Sequence, residues 1–191
     1  MLNSSKKCSL KNLIIITGPT AIGKTGLAVY IAKALQTEII SFDSRQFYKE
    51  MKIGTAVPSQ EELTEVSHHF IQNLSIHEEY SVGDFERDAL HKIEELFQKY
   101  DTVIMVGGSG LYEKAVTEGL DIFPEVDATI REELMVELNE FGIEKLQEEL
   151  KVSDPDYYKQ VDIQNPHRII RALEICRGTG KTFSSFRQNN L

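Results

Sequence analysis

Gly18-Pro19-Thr20-Ala21-Ile22-Gly23-Lys24-Thr25 has the spacing G-x-x-x-x-G-K-[ST]. The residue types suit one task, the holding of a phosphate chain. Glycines let the backbone curl so that successive N–H groups converge on an anion, and a following helix presents its positive end to the same charge. Lys24 supplies a full charge to the terminal phosphate, and Thr25 offers a hydroxyl to Mg²⁺. The loop specifies a polyphosphate without specifying ATP. A second group, Asp43-Ser44-Arg45-Gln46, follows an apolar run and should lie at the carboxyl edge of the same sheet. A carboxylate there could reach Mg²⁺ through water or take a proton; the plainer alternatives are a solvated loop acid or a cap for a short helix over residues 46–49. Arg45 reads as a phosphate partner or as the mate of a surface acid.

Three further segments carry chemical side chains. Val106-Gly107-Gly108-Ser109-Gly110-Leu111-Tyr112 permits close backbone approach to a ligand, or is a tight turn in which Ser109 caps a helix. His68-His69 suggests a metal, but neighbours on an extended chain point to opposite faces, so a structural role is preferred. Asn165-Pro166-His167-Arg168-Ile169-Ile170-Arg171-Ala172-Leu173 begins like a helix, with Arg168 and Arg171 on one face and Arg177 and Lys181 beyond. It is the one locally basic stretch suited to an RNA backbone, although alone it reads sooner as a solvated helix face.

The elements that must position these groups follow from periodicity. Leu13–Thr17 reads as a strand buried on both faces, and 25–35 as a helix with Leu27, Ala28, Ile31 and Leu35 recurring at helical spacing. Residues 37–42 form a second strand, 43–67 are loop-rich, and 69–71 give a short extended piece. Residues 82–100 form a helix capped by Ser81 or Asp84, 102–106 a strand, and 109–118 a helix. This alternation specifies an α/β fold, a P-loop NTPase-like parallel sheet. From Asp127 onward only helices are expected, at 128–141, 143–151, 154–160 and 166–177, so the chain divides into an α/β core at 1–124 and a helical region at 125–191.

Bulk properties limit the reading. The chain has 191 residues, 41% hydrophobic and 27% charged, which is globular composition and enough length to bury a core. Cys8 and Cys176 are too few for a disulfide framework or a cysteine zinc site and fit a reducing cytosol. Lys6, Lys7 and Lys11 precede the apolar run at 13–16, but that run is too short for a signal peptide or a membrane span. A formal net charge of −9 opposes non-specific nucleic-acid binding, so any RNA must meet a local basic face.

Taken in order, these segments resemble the bacterial tRNA dimethylallyltransferase (isopentenyltransferase) family. Gly18–Thr25 matches its phosphate loop with Ile22 for the usual Ser, and Asp43–Tyr48 its Asp-Ser-Arg-Gln-Val-Tyr with Phe47. Ile53–Pro58, His68-His69, Tyr80-Ser81, Phe85-x-Arg87-Asp88-Ala89, Val106–Tyr112 (Ser109 for Thr) and Arg168–Glu174 follow in family order. The resemblance implies transfer of a dimethylallyl group from dimethylallyl diphosphate to the N6 amine of the adenosine 3′ of the anticodon. Asp43 would take the amine proton, and Ser109 would sit beside the target nucleotide. Gly18, Pro19, Thr20, Ala21, Ile22, Gly23, Lys24 and Thr25 would hold the diphosphate with Mg²⁺ on Thr25. Asp43, Ser44, Arg45, Gln46, Ser109, Arg131, Asn165, Pro166, His167, Arg168 and Ile169 would touch the tRNA anticodon stem-loop. A cytoplasmic monomer with no membrane partner is expected. Family members continue past the position of Leu191 with a return to the core sheet and an Arg-Cys-x-Gly-Tyr segment, so the C-terminal part of the core is expected to be missing here. The alternatives are a P-loop small-molecule kinase and an inactive nucleotide- or RNA-binding fragment.

Overall fold

The computed structural model describes residues 10–187, so Lys6, Lys7 and Cys8 lie outside the described residues. The chain divides into two compact bodies, one running to Leu120 and the other beginning at Asp121.

The first body is a parallel sheet with helices. Its strands are β1 (Asn12–Thr17), β2 (Ile39–Ser41), β3 (His68–His69) and β4 (Thr102–Gly107), in the order β1-β4-β2-β3. β4 pairs in parallel with both β1 and β2, and Val103–Met105 are fully buried. β1 is an edge strand, and Leu13–Ile16 are half-buried rather than buried on both faces as the apolar run suggests. Helix α1 (Lys24–Leu35) follows the phosphate loop and buries Ala28, Val29 and Ala32, whose small side chains allow close approach to β4. The face differs from the one expected, because Leu27 and Leu35 are exposed. The loop-rich stretch contains one short helix, α2 (Gln60–Glu65), which starts in a capping box between Ser59 and Glu62. α3 (Val82–Phe97) starts in the same way, with Ser81 as the cap and Asp84 at the third position. It buries Phe85, Ala89, Ile93 and Leu96 on one stripe. α4 (Gly110–Glu118) completes this body.

The second body is helical: α5 (Ala128–Phe141), α6 (Ile143–Ser153), α7 (Pro155–Tyr158) and α8 (Pro166–Thr179), with a 3₁₀ turn at Phe183–Phe186. α8 is its central element, burying Ile169, Ile170, Ala172, Leu173 and Ile175 against Leu134, Leu146 and Leu150. Asp154 is fully buried with its partners supplied: it accepts from the Tyr157 N–H and from both the N–H and the hydroxyl of Ser184, which ties the 3₁₀ turn to the α6–α7 corner.

Candidate active site

Three turns meet at the carboxyl ends of β1, β2 and β4. The phosphate loop leaves β1 and enters α1 through Gly23, whose φ of 88° lies in the left-handed region that glycine tolerates. Ala21 also has a positive φ, 67°, an unusual conformation for a residue with a Cβ and one found at ligand-holding turns. Unlike α2 and α3, α1 begins with no side-chain cap and no acidic residue in its first turn. Its N-terminal N–H groups and positive end therefore stay available to an anion. Lys24 Nζ donates to the Pro19 carbonyl at 2.5 Å, which keeps the ammonium on the loop.

The turn after β2 carries Asp43, only 6% exposed. Its Oδ1 accepts from the Arg45 N–H at 3.2 Å and lies 4.0 Å from Arg45 Nε. The Arg45 guanidinium reaches across to the Thr20 hydroxyl at 3.5 Å and remains half-exposed. No helix forms over residues 46–49, so Asp43 is not a helix cap. Gln46 is buried: its amide donates to the carbonyls of Thr55 and Ala56 at 3.1 and 2.8 Å, and its Oε1 accepts from Ser41. That side chain is committed inside the protein and holds the 55–58 loop, which leaves its amide no donor for the RNA contact expected of it. Phe47 packs face to face on Phe85 at 5.2 Å and edge-on against Tyr112, fixing the turn to α3 and α4.

The turn after β4 comes close to both others. A Cβ at Gly107 would lie 2.5 Å from the Phe42 ring, so the close approach that this glycine allows is to the neighbouring strand and not to a ligand. A Cβ at Gly108 would sit 3.3 Å from the Gly18 carbonyl and 3.9 Å from Asp43 Oδ2. Ser109 occupies the N-cap position of α4 but makes no capping bond. Its hydroxyl instead accepts from the Ser44 N–H at 3.1 Å and meets the Ser44 hydroxyl at 3.2 Å. Ser44 and Ser109 thus clasp the Asp43 turn to the β4 turn.

These turns enclose a cavity of about 210 Å³ lined by Gly23–Gly26, Ser41, Asp43 and Gln46 on its polar side. Ala56, Val57, Pro58, Ile71 and Val106 form an apolar wall, and Glu62 and His68 also line it. The segments Ile53–Pro58 and His68-His69 carry part of the resemblance, but their place in the cavity wall is not readable from the sequence, because the stretch around them follows no period. His68 Nδ1 bonds the Val66 carbonyl at 2.8 Å, and burial holds its pKa below the ordinary histidine value. His69 turns away to Glu38 at 2.7 Å, so the two histidines are not co-ligands. No group of three or more His, Cys, Asp or Glu among the described residues could hold a metal unaided. Thr25 and Asp43 place hard oxygen donors in one cavity beside the phosphate loop, a set that suits Mg²⁺ completed by phosphate oxygens and water.

The remaining expected RNA contacts fall in the second body. Asn165 caps α8 through the Arg168 N–H, and His167 and Arg168 are exposed. Ile169 is 0% exposed and belongs to the core, so its side chain cannot touch RNA. Arg177 is also removed from the basic face: it bridges Glu137 and Glu149 at 2.6–2.8 Å. That bridge holds the Glu137 carboxyl down at about 2. Arg131 pairs with Glu174 and is half-exposed.

A phosphate loop between the first strand and first helix of a parallel sheet defines the first body as a P-loop NTPase-like α/β fold. The sequence profile described as IPP transferase matches residues 46–191. The chain belongs to the IPP transferase family. It is 63% identical over 174 residues to the tRNA dimethylallyltransferase of Christiangramia forsetii, covering 91% of this chain and 58% of that one. The crystal structure of the full-length tRNA isopentenylpyrophosphate transferase of Bacillus halodurans superposes with a TM-score of 0.58 at 39% identity, over 90% of this chain and 57% of that one. A eukaryotic dimethylallyltransferase structure described as acting on tRNA gives 0.70 at 27% identity, over 93% and 44%. The chain thus spans less than two thirds of the relatives that it matches.

Proposed function

We propose that this chain carries the donor-binding and base machinery of a tRNA dimethylallyltransferase. The reaction moves the dimethylallyl group of dimethylallyl diphosphate to the N6 amine of the adenosine 3′ of the anticodon. The observation that carries the reading is the cavity: an uncapped phosphate loop, a buried carboxylate and an apolar wall share one small enclosure. That combination suits a diphosphate ester with a short branched hydrocarbon.

The leaving diphosphate gains charge as the C–O bond breaks. N–H groups of the Gly18–Thr25 loop and the Lys24 ammonium would face that charge, and stabilising it lowers the barrier. Thr25, with phosphate oxygens and water, would hold Mg²⁺, whose charge would neutralise part of that on the diphosphate. The apolar wall of Ala56, Val57, Pro58 and Ile71 would seat the prenyl chain and exclude water from the allylic carbon. Asp43 accepts the proton that the exocyclic amine loses on attack. Arg45 and the Ser44–Ser109 clasp position that turn. The target base must leave its stack to reach so enclosed a site. Arg131, Asn165–Arg168 and Arg171 are assigned to the RNA backbone. We assign the protein to the cytoplasm, where tRNA and the donor meet, and no described helix is long and apolar enough to cross a membrane.

The test supplies dimethylallyl diphosphate, Mg²⁺ and unmodified tRNA, and follows prenylated adenosine and released diphosphate. One equivalent of each supports the reading. Consumption of ATP with a metabolite acceptor, and no prenylation, replaces it with a kinase.

A further inference from the structure

Among the described residues of the helical body, the ion pairs at Glu148, at Asp156 and around Arg177 match cations and acids one for one. Residues 121–191 carry nine Lys and Arg against fourteen Asp and Glu, so this body has no general attraction for a polyanion. The cluster at Arg177 sets two cations, Arg177 and Lys145, on two acids, Glu137 and Glu149. At Glu174 the count differs. Arg131 from α5 and Arg171 from α8 both place Nη1 3.2 Å from the same atom, Glu174 Oε2. Their Nη1 atoms therefore lie within 6.4 Å of each other. The carboxylate is buried, whereas the two guanidinium side chains are 48% and 44% exposed. Arg171 is steadied further by the Phe123 ring, 5.6 Å from its Cζ. Two cations thus share one carboxylate.

We propose that Glu174 is a positioning residue that gathers Arg131 and Arg171 into a clamp for one phosphodiester of the tRNA backbone. Two like charges this close repel, and in water two long side chains would splay apart and lose rotamer freedom again on binding. A buried carboxylate between their stems removes both costs. It also uses only one edge of each guanidinium, and the remaining N–H donors of two planar forks can take different oxygens of a phosphate. Arg168, three residues before Arg171 on α8, is placed for the next phosphate along the strand. The inference rests on the tRNA reading above and adds to it a residue that does not touch RNA.

The experiment measures equilibrium binding of unmodified tRNA by the whole chain across a series of KCl concentrations. Glu174→Gln raises the net charge by one, so electrostatics alone predicts tighter binding. The clamp predicts the opposite, a loss of about tenfold, with a higher KM for tRNA and an unchanged kcat at saturation. Arg131→Gln and Arg171→Gln each weaken binding by a similar factor and lower the salt slope, and the double variant loses little more than either alone. Arg171→Lys, which keeps the charge and loses the fork, does not rescue. Both arginine sites are half-exposed, so the cycle decides the matter even where Glu174→Gln disturbs folding. Wild-type or tighter binding by a folded Glu174→Gln, or simple additivity of the two arginine losses, overturns the clamp alone. Failure of the parent chain to bind tRNA at any salt, with inorganic diphosphate still bound, overturns the tRNA reading and the clamp together.

Discussion

Gly107→Ala tests whether the Asp43 turn is held by contact across the sheet. The added methyl would lie 2.5 and 2.7 Å from the Phe42 ring and 2.8 Å from the Phe42 carbonyl carbon. The ring is fully buried and has no solvent to move into, and the carbonyl carbon is backbone next to Asp43. Opening 2.8 Å to an ordinary contact of about 3.4 Å needs a shift of about 0.6 Å between β4 and the end of β2. Overpacking of this kind costs about 1–3 kcal/mol, which lowers Tm by several degrees. The same shift moves Asp43, and misplacement by about 1 Å costs on the order of a hundredfold in rate, so a loss of about tenfold in kcat follows. The phosphate loop leaves a different strand, so the Kd for inorganic diphosphate changes less than about threefold. Thermal unfolding, single-turnover kinetics and calorimetry measure the three quantities. Unchanged Tm and kcat would refute the packing reasoning; loss of diphosphate binding with kcat preserved would refute the assignment of the two turns to different tasks.

Gln46→Leu frees the Thr55–Pro58 loop that forms part of the apolar wall; KM for the prenyl donor should rise about tenfold, with tRNA affinity unchanged, as steady-state kinetics and RNA binding can show. Ile169→Ala empties a core position of the helical body and should cost about 2–5 kcal/mol in denaturant unfolding; a loss confined to RNA affinity would contradict its burial. Glu137 has a folded pKa of about 2, below its ordinary value of 4.5. A depressed carboxylate pKa stabilises the fold above the unfolded value, and that contribution disappears as pH falls from about 5 through 2. Solvent screening of this partly exposed cluster keeps the contribution below what the shift alone implies, and Glu137→Gln should flatten that acid limb in urea titrations followed by circular dichroism.

The parts legible in the sequence were those with a local cause. The phosphate loop is legible because its glycines, Lys24 and Thr25 act through neighbouring backbone, and Ser81 because its capping box closes within four residues. α8 was legible as a helix from Asn165-Pro166. Which of its residues face solvent was not, because Ile169 and Arg177 are claimed by partners on α5 and α6. Ser109 shows the same limit. Its position predicts a cap, and a residue 65 positions away takes its hydroxyl. The burial of β1 is not legible, because an apolar run does not tell an edge strand from a central one.

The most direct measurement of the central claim is prenyl transfer itself, with dimethylallyl diphosphate, Mg²⁺ and tRNA lacking the modification, comparing the parent chain with Asp43→Ala. Prenylated adenosine and diphosphate are expected in equal amounts from the parent, and from Asp43→Ala a rate lower by about a hundredfold or more, with diphosphate affinity retained. Transfer at the parental rate by Asp43→Ala would contradict the role given to the buried carboxylate, and turnover of ATP in place of the prenyl donor would contradict the account as a whole.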